Sequence, residues 1–315
     1  MRPFTKSRCL ESVVDTIGNT PLVRLNRVAK EAPGVAVWLK LEYANPGGSV
    51  KDRPARRMVL DAMAAGRLDE RRTLTDATSG NTGVAYSLLG AALGFRVCLV
   101  MPSNVTRARR EIAQAFGAEV VFSDPMEGTD GAIARVRARV ASNPDLYFYP
   151  DQYANPSNPM AHYEGTAAEI LDAVGGEITH FVAGLGTSGT FVGSARRLHE
   201  HSHRVCCVAV QPAEALHGLE GLKHMESSLV PPIFDPGVAD ETIFVTTEDG
   251  WTMADRVAAE EGLHVGHSTG ANVHAAVAVA RRLHQQGKPG CVVTVACDRG
   301  DRYFAQPSWE KHYVW

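Results

Sequence analysis

From about residue 35 onward, short apolar runs rich in β-branched residues alternate with longer stretches in which apolar residues recur at helical spacing. This alternation predicts a parallel sheet flanked by helices, because strands covered on both faces read as unbroken apolar runs. Strands are expected at 37–41, 74–76, 97–101, 119–122, 147–149, 180–183, 205–210 and 292–296. A helix is expected from Arg53, with Pro54 in its first turn, Ala55, Met58, Val59, Ala62 and Met63 on one face, and Gly66 ending it. The run at 180–183, a glycine turn, a helical stretch from Thr190 toward His199 and the next apolar run form a βαβ unit. Gly175-Gly176 and the proline-containing segment 231–237 read as turn-rich connections, and no internal repeat or long linker breaks the pattern.

Composition narrows the partners. With 315 residues, 44% hydrophobic and 21% charged, the chain can bury a sizeable core in one large domain or two. Lys plus Arg number 32 against 35 acidic residues, a formal charge of −3 that gives no pull toward nucleic acid or an acidic membrane, so a small molecule is the expected partner. Apolar stretches are all too short to span a bilayer, and the first residues carry cations without the apolar run of an export signal. Cys98, Cys206, Cys207, Cys291 and Cys297 lie in or at the end of predicted strands, and no zinc-type cysteine spacing appears. A reduced, cytoplasmic protein is the expectation.

Candidate chemistry begins with glycine-rich loops placed after strands. Gly-Leu-Gly-Thr-Ser-Gly-Thr at 184–190 puts exposed backbone N–H groups at a helix start, where the dipole favours a phosphate, and Thr187, Ser188 and Thr190 add hydroxyls. The same string fits the dinucleotide pattern G-x-G-x-x-G, yet the following strand ends in Gln211-Pro212 rather than in an acid to hold a ribose, with Glu214 a late substitute. A purely structural glycine turn is the third reading. In Asn-Pro-Gly-Gly-Ser-Val-Lys-Asp-Arg at 45–53, Lys51 stands at a helix mouth with Arg53, Arg56 and Arg57 following. That setting favours the neutral amine needed for imine formation, whereas an isolated lysine there would merely be solvated. A third segment, Thr75 to Gly83, offers hydroxyl, amide and backbone donors suited to a carboxylate, although Asn81 also fits an ordinary turn.

Taken in order, Gly-Asn-Thr-Pro-Leu at 18–22, the Lys51 segment, Thr-Ser-Gly-Asn-Thr-Gly at 78–83, Gln-Tyr-Ala-Asn-Pro at 152–156, the 184–190 loop and Gly-His-Ser-Thr-Gly at 266–270 resemble the cysteine synthase (O-acetylserine sulfhydrylase) family of fold-type II pyridoxal 5′-phosphate (PLP) enzymes. The resemblance runs from Gly18 to Tyr303, and Cys-Asp-Arg-Gly-Asp-Arg-Tyr at 297–303 looks like the B-type isozymes. It implies an α/β fold of two three-layer α/β/α domains with the cofactor in the cleft between them. Residues 1–44 plus 149–315 would form the larger, phosphate-binding domain and 45–148 the smaller mobile one. It further implies that Lys51 carries the PLP and later moves the α-proton, and that Gly186, Thr187, Ser188, Gly189 and Thr190 hold its phosphate. Asn81 would meet the 3′-oxygen, and Thr78, Ser79, Gly80, Thr82 and Gln152 the substrate carboxylate. Ser268 would face the pyridine nitrogen; a neutral hydroxyl there leaves a weaker electron sink than an Asp would.

The implied reaction replaces the β-substituent of an activated L-serine, O-acetylserine by default, with a sulfur nucleophile through an aminoacrylate, giving L-cysteine. Cys297 and Asp298 would line the nucleophile entrance and admit donors such as thiosulfate. Lys223, in a glycine-containing loop, could pair with the phosphate of phosphoserine. Rivals are a lyase running only the elimination half and a non-enzymatic subunit docking a serine acetyltransferase, against which an intact Lys51 and Ser268 argue. Implied partners are a small amino-acid substrate and a sulfur donor, a second copy in a homodimer, and a serine acetyltransferase or sulfur-carrier protein. His267, and Ala167-Ala168 after Thr166, depart from the family pattern and are expected to repack locally. His199, His201 and His203, lacking a carboxylate or thiolate at metal-ligand spacing, are expected to face solvent, so no metal is assigned.

Overall fold

The computed structural model describes residues 9–303 apart from 79, 104–106, 125 and 127, with the side chains of 107–109 and 128–130 also outside the description. Its strands form two sheets. In chain order the larger sheet takes β1 (Leu22–Arg24), β2 (Val35–Leu41), β7 (His180–Gly184), β8 (Cys206–Pro212), β9 (Glu241–Val245) and β10 (Gly290–Ala296), arranged β1-β2-β10-β7-β8-β9. Only β1 runs antiparallel to its neighbour; β10 pairs in parallel with β2 through Val293↔Trp38 and with β7 through Val293↔Phe181. The smaller sheet is all parallel, β5-β4-β3-β6, from β3 (Thr73–Ala77), β4 (Arg96–Pro102), β5 (Glu119–Ser123) and β6 (Tyr147–Phe148).

Each sheet is covered on both faces, which explains the unbroken apolar strand runs. One face of the larger sheet packs Val37, Leu39, Val182 and Val208 against α8 (Thr247–Arg256) and α9 (His267–Gln285); the other packs Phe181, Cys207 and Val293 against α6 (Ala167–Ala173) and α7 (Gly189–His201). The smaller sheet buries Leu74, Val97 and Leu99 beneath α1 (Asp52–Ala64) and α2 (Asn81–Leu93), and Val100 beneath α4 (Gly128–Ser142). α1 realises the predicted stripe: Ala55, Met58, Val59 and Ala62 are buried, at about 1.5–3 kcal/mol each for Met58 and Val59, and the chain turns out at Gly66 in the left-handed region. The remaining helices are α3 (Arg107–Ala115), whose described end joins β4 to β5, and α5 (Ser157–Ala161), which runs through a π-turn, His162–Thr166, into α6.

Candidate active site

The carboxyl ends of β3, β7 and β10 open onto one cleft of about 690 Å³, the place where parallel α/β sheets bind ligands. Its floor is set by the turn before α1. Asn45 Nδ2 donates to the carbonyls of Glu42 (2.7 Å) and Ser49 (3.2 Å) while its Oδ1 accepts from Gly18 N (2.8 Å). Gly47 N donates to Asp52 Oδ2, and a Cβ at Gly47 would lie 2.7 Å from that same oxygen, so a side chain there would displace the Asp52 carboxylate. Val50 N then donates to Cys297 O (2.8 Å), which sets Lys51, the N-cap of α1, against the end of β10 and into the cleft.

Two of the arginines that follow Lys51 are engaged by carboxylates. Arg53 is buried and spends its guanidinium on Glu42 (2.6 and 2.8 Å) and Glu169 (2.6 and 2.7 Å), while Lys40 Nζ completes the cluster on Glu169 (2.7 Å); Arg57 pairs with Asp61 and Glu164. Burial alone would raise the Glu169 carboxyl, but the hydrogen bonds and charge of Arg53, with Lys40, hold it down at about 2. These ion pairs fix the first turn of α1. Asp52 carries the opposite shift, pushed up to about 7 by burial against the Gly47 amide and Arg302.

On the larger-sheet wall, the loop after β7 is shaped by close backbone approach. A Cβ at Gly186 would fall on the Gly221 carbonyl oxygen, and one at Gly189 on the Asn158 amide oxygen. Ser188 adopts φ +70° at the N-cap of α7, and its hydroxyl is buried without a hydrogen-bond partner among the described residues. Asn158 Nδ2 ties Gln152 O (2.7 Å) to Thr187 Oγ1 (3.1 Å). The imidazole of His162, in the π-turn, lies 2.9 Å from Thr166 Oγ1 and 3.2 Å from Thr190 Oγ1, and burial lowers its pKa far enough to keep it neutral. Glycine amides, an orphaned buried hydroxyl and the open end of a helix make a donor set that fits a phosphate monoester such as that of PLP. Asn158 and His162 were not singled out from sequence; their signal was the polar i, i+4 pair following the 152–156 motif.

The smaller-sheet wall is built from side chains. Thr78, Gly80, Asn81 and Thr82 follow β3 into the cleft, while Ser79 lies outside the described residues. Thr82 Oγ1 donates to Gln152 Oε1 (2.8 Å), which leaves the Gln152 NH₂ group to face a ligand. Asn81 Nδ2 donates to Asp298 Oδ2 (2.7 Å), and Asn81 Oδ1 accepts from Arg302, so its amide is already committed across the cleft. Asp298 also accepts from Tyr303 OH (2.7 Å); burial pushes its carboxyl up, against the pull of Tyr303 and Asn81.

At the closed end, Ser268 sits in the first turn of α9, buried and lining the cleft alongside the Cys297 thiol. Burial pushes that thiol up to about 11. Asn272, one helical turn beyond Ser268 and also missed from sequence, donates to Val295 O (2.9 Å) and reaches Cys297 Sγ (3.6 Å). Lys223 lines the cleft with Nζ 5.4 Å from the Tyr153 ring centroid, and its backbone N donates to Leu185 O (2.7 Å), seating the 213–224 loop on the glycine loop. His267 stacks between Trp251 (4.8 Å) and Tyr303 (4.9 Å), a packing role. The expectation for the 199–203 histidines needs correction at one position: His199 is partly buried, with Nε2 3.0 Å from Asp240 Oδ2, because the loop before β9 folds back over the end of α7.

Comparison with known proteins accords with this geometry. The family model described as pyridoxal-phosphate dependent enzyme matches residues 13–298. The chain is 48% identical to a cysteine synthase of Aquifex aeolicus over 303 residues, covering 96% of this chain and 92% of that protein. It is 39% identical to cysteine synthase B of Escherichia coli, covering 96% and 98%. A crystal structure of a cysteine synthase from Entamoeba histolytica superposes with a TM-score of 0.92 at 33% identity, covering 100% of this chain and 95% of that one. A match across nearly the whole chain, together with a phosphate cradle facing a lysine at a helix mouth, assigns the protein to the pyridoxal-phosphate dependent enzymes, with the fold-type II architecture.

Proposed function

We propose that this enzyme replaces the β-substituent of an activated L-serine with a sulfur nucleophile to make L-cysteine, with O-acetylserine as the default substrate. The observation that carries the reading is the cleft itself, which gathers Lys51, the 184–190 cradle and the Thr78–Gln152 donor set around one space. Bound PLP supplies the electron sink that makes loss of the α-proton and of the β-substituent accessible. Lys51 holds the cofactor and is the base and acid at the substrate Cα. Gly186, Thr187, Ser188, Gly189 and Thr190 would hold the phosphate, Asn81 would serve the cofactor's 3′-oxygen, and Ser268 would offer the ring nitrogen a neutral hydroxyl. Thr78, Ser79, Gly80, Thr82 and the free NH₂ of Gln152 hold the substrate carboxylate, while Cys297 and Asp298 border the path of the incoming sulfur.

Residues 45–148 act as the smaller, moving domain against 1–44 plus 149–315, closing the cleft to exclude water during the reaction. We place the enzyme in the cytoplasm as a homodimer. Two facts support that compartment: the described cysteines are all unpaired, and no described helix is long and apolar enough to cross a membrane. A serine acetyltransferase tail or a sulfur-carrier protein is the macromolecular partner the cleft would admit.

The test crosses acetylserine, phosphoserine and serine with sulfide, thiosulfate and a protein thiocarboxylate in steady-state assays. Cysteine formed with sulfide from acetylserine is the expected result. Pyruvate and ammonia released at the same rate with and without a sulfur donor would show an eliminating lyase instead.

A further inference from the structure

Away from the cleft, on the far side of the larger sheet, the structure brings together three side chains that the proposed reaction does not use. His199 lies in the last turn of α7, Cys207 is the second residue of β8, and Asp240 precedes β9; one donor atom from each lies within 4.8 Å of the others. Asp240 is locked to this place, since its N donates to Cys207 O (2.9 Å) and its Oδ2 accepts from Cys207 N (2.7 Å). The same Oδ2 stands 3.0 Å from His199 Nε2. Cys207 is fully buried, and its thiol has no hydrogen-bond partner among the described residues.

We propose that His199, Cys207 and Asp240 form a structural site for a borderline divalent cation, zinc being the best match, with water as the fourth ligand. One imidazole nitrogen, one thiolate and one carboxylate are the ligand types that zinc selects, and their two negative charges match a dication. With metal–ligand bonds of about 2.0–2.3 Å, tetrahedral donors stand roughly 3.3–3.8 Å apart. The His199–Asp240 pair therefore has to open by a few tenths of an ångström, and the thiol has to move inward by about 1.5 Å at most. On binding, the thiol proton passes to solvent, and Nε2 of His199 exchanges its contact with Asp240 for the metal. The Cys207 amide already orients the carboxylate, as a supporting hydrogen bond does in metal sites. Half-exposed Asp240, beside the partly buried His199, leaves a route for the ion from solvent. The bound cation would join the end of α7 to β8 and to the loop leading into the edge strand β9.

Equilibrium dialysis of the holoenzyme against Zn²⁺ tests this. The expected result is one zinc per chain, with affinity reduced at least tenfold in His199→Gln and in Cys207→Ala, and unchanged in His201→Gln and His203→Gln. Co²⁺ in place of zinc should add a sulfur-to-cobalt absorption band in the difference spectrum against metal-free holoenzyme, and that band should vanish in Cys207→Ala. Substoichiometric zinc, zinc retained by His199→Gln, zinc that follows His201 or His203, or bound cobalt without the sulfur band would each overturn the assignment. Because His199 is only partly buried, in the last turn of α7, its variant keeps the test decisive even where Cys207→Ala folds poorly.

Discussion

The two walls of the cleft reach rigidity by different means. On the larger-sheet side the shape belongs to the backbone: Gly186 and Gly189 sit where a single added carbon would strike a carbonyl or an amide, and Ser188 is held at positive φ. On the smaller-sheet side the backbone has room, with nothing within 4 Å of a Cβ at Gly80, and the order comes from side chains bonded across long sequence separations, Asn81 to Asp298 and Thr82 to Gln152. A backbone cradle cannot adapt without refolding; a side-chain wall can open and close by exchanging partners. The first suits a cofactor that stays, the second a substrate that comes and goes.

The sharpest test of that division lies at the residue between the walls. Lys51→Ala should abolish the visible imine absorbance and lower turnover by at least a thousandfold while leaving the fold intact, read by absorption spectra, steady-state kinetics and circular dichroism. Next in size is a paired glycine experiment. Gly186→Ala should cost about 1–3 kcal/mol or more, because the added carbon meets backbone, whereas Gly80→Ala should stay within about 0.5 kcal/mol. Thermal melts of both variants, with and without added PLP, decide it, and equal losses would erase the contrast.

Buried acids on the two sides should titrate with opposite signs. Glu169, held at about 2 against an ordinary 4.5, adds stability that is present above 4.5 and is lost as the pH falls toward 2. Asp76, buried on β3 and pushed up to about 7 from 3.8, adds stability that is present below 3.8 and is lost as the pH rises through 7. Denaturant melts should therefore show Asp76→Asn gaining on the wild type as the pH goes from 6 to 8. Glu169→Gln should show its largest deficit at neutral pH and recover toward the wild type in acid.

The smallest effects should come from single hydroxyls. Ser188→Ala and Ser268→Ala each remove one hydrogen bond of about 1 kcal/mol, so PLP affinity should fall about fivefold for the first. Turnover should change only modestly for the second, while Ser268→Asp should be severely impaired in elimination; near-normal elimination by that variant would contradict a weak electron sink at the ring nitrogen.

Local signals carried most of what could be foreseen. The parallel strands other than β9 were legible from their apolar runs, and the Lys51 turn and the 184–190 loop because glycine at fixed offsets marks close backbone approach. β9 and β1 were missed: β9 is an edge strand whose alternating burial leaves Phe244 exposed, and β1 has only the residues Leu22–Arg24, too few to show a period. Asn158, His162 and Asn272 escaped because what makes each significant is a partner that only the folded chain supplies. The pairing of Arg53 with Glu169, 116 positions away, is of the same kind.

That pairing gives α1 two allegiances. Its stripe of Met58 and Val59 is embedded beneath the smaller sheet, while its first turn is riveted through Arg53 to Glu42 and Glu169 beside the larger one. A helix fixed at one end to one body and along its length to another is a fulcrum: were the smaller sheet to swing, as proposed above, displacement would grow with distance from Arg53 and be least at the adjacent Lys51. On that proposal the amine would keep station through every opening, and amide exchange should be slowest at this pivot and quicken toward the outer strand β5.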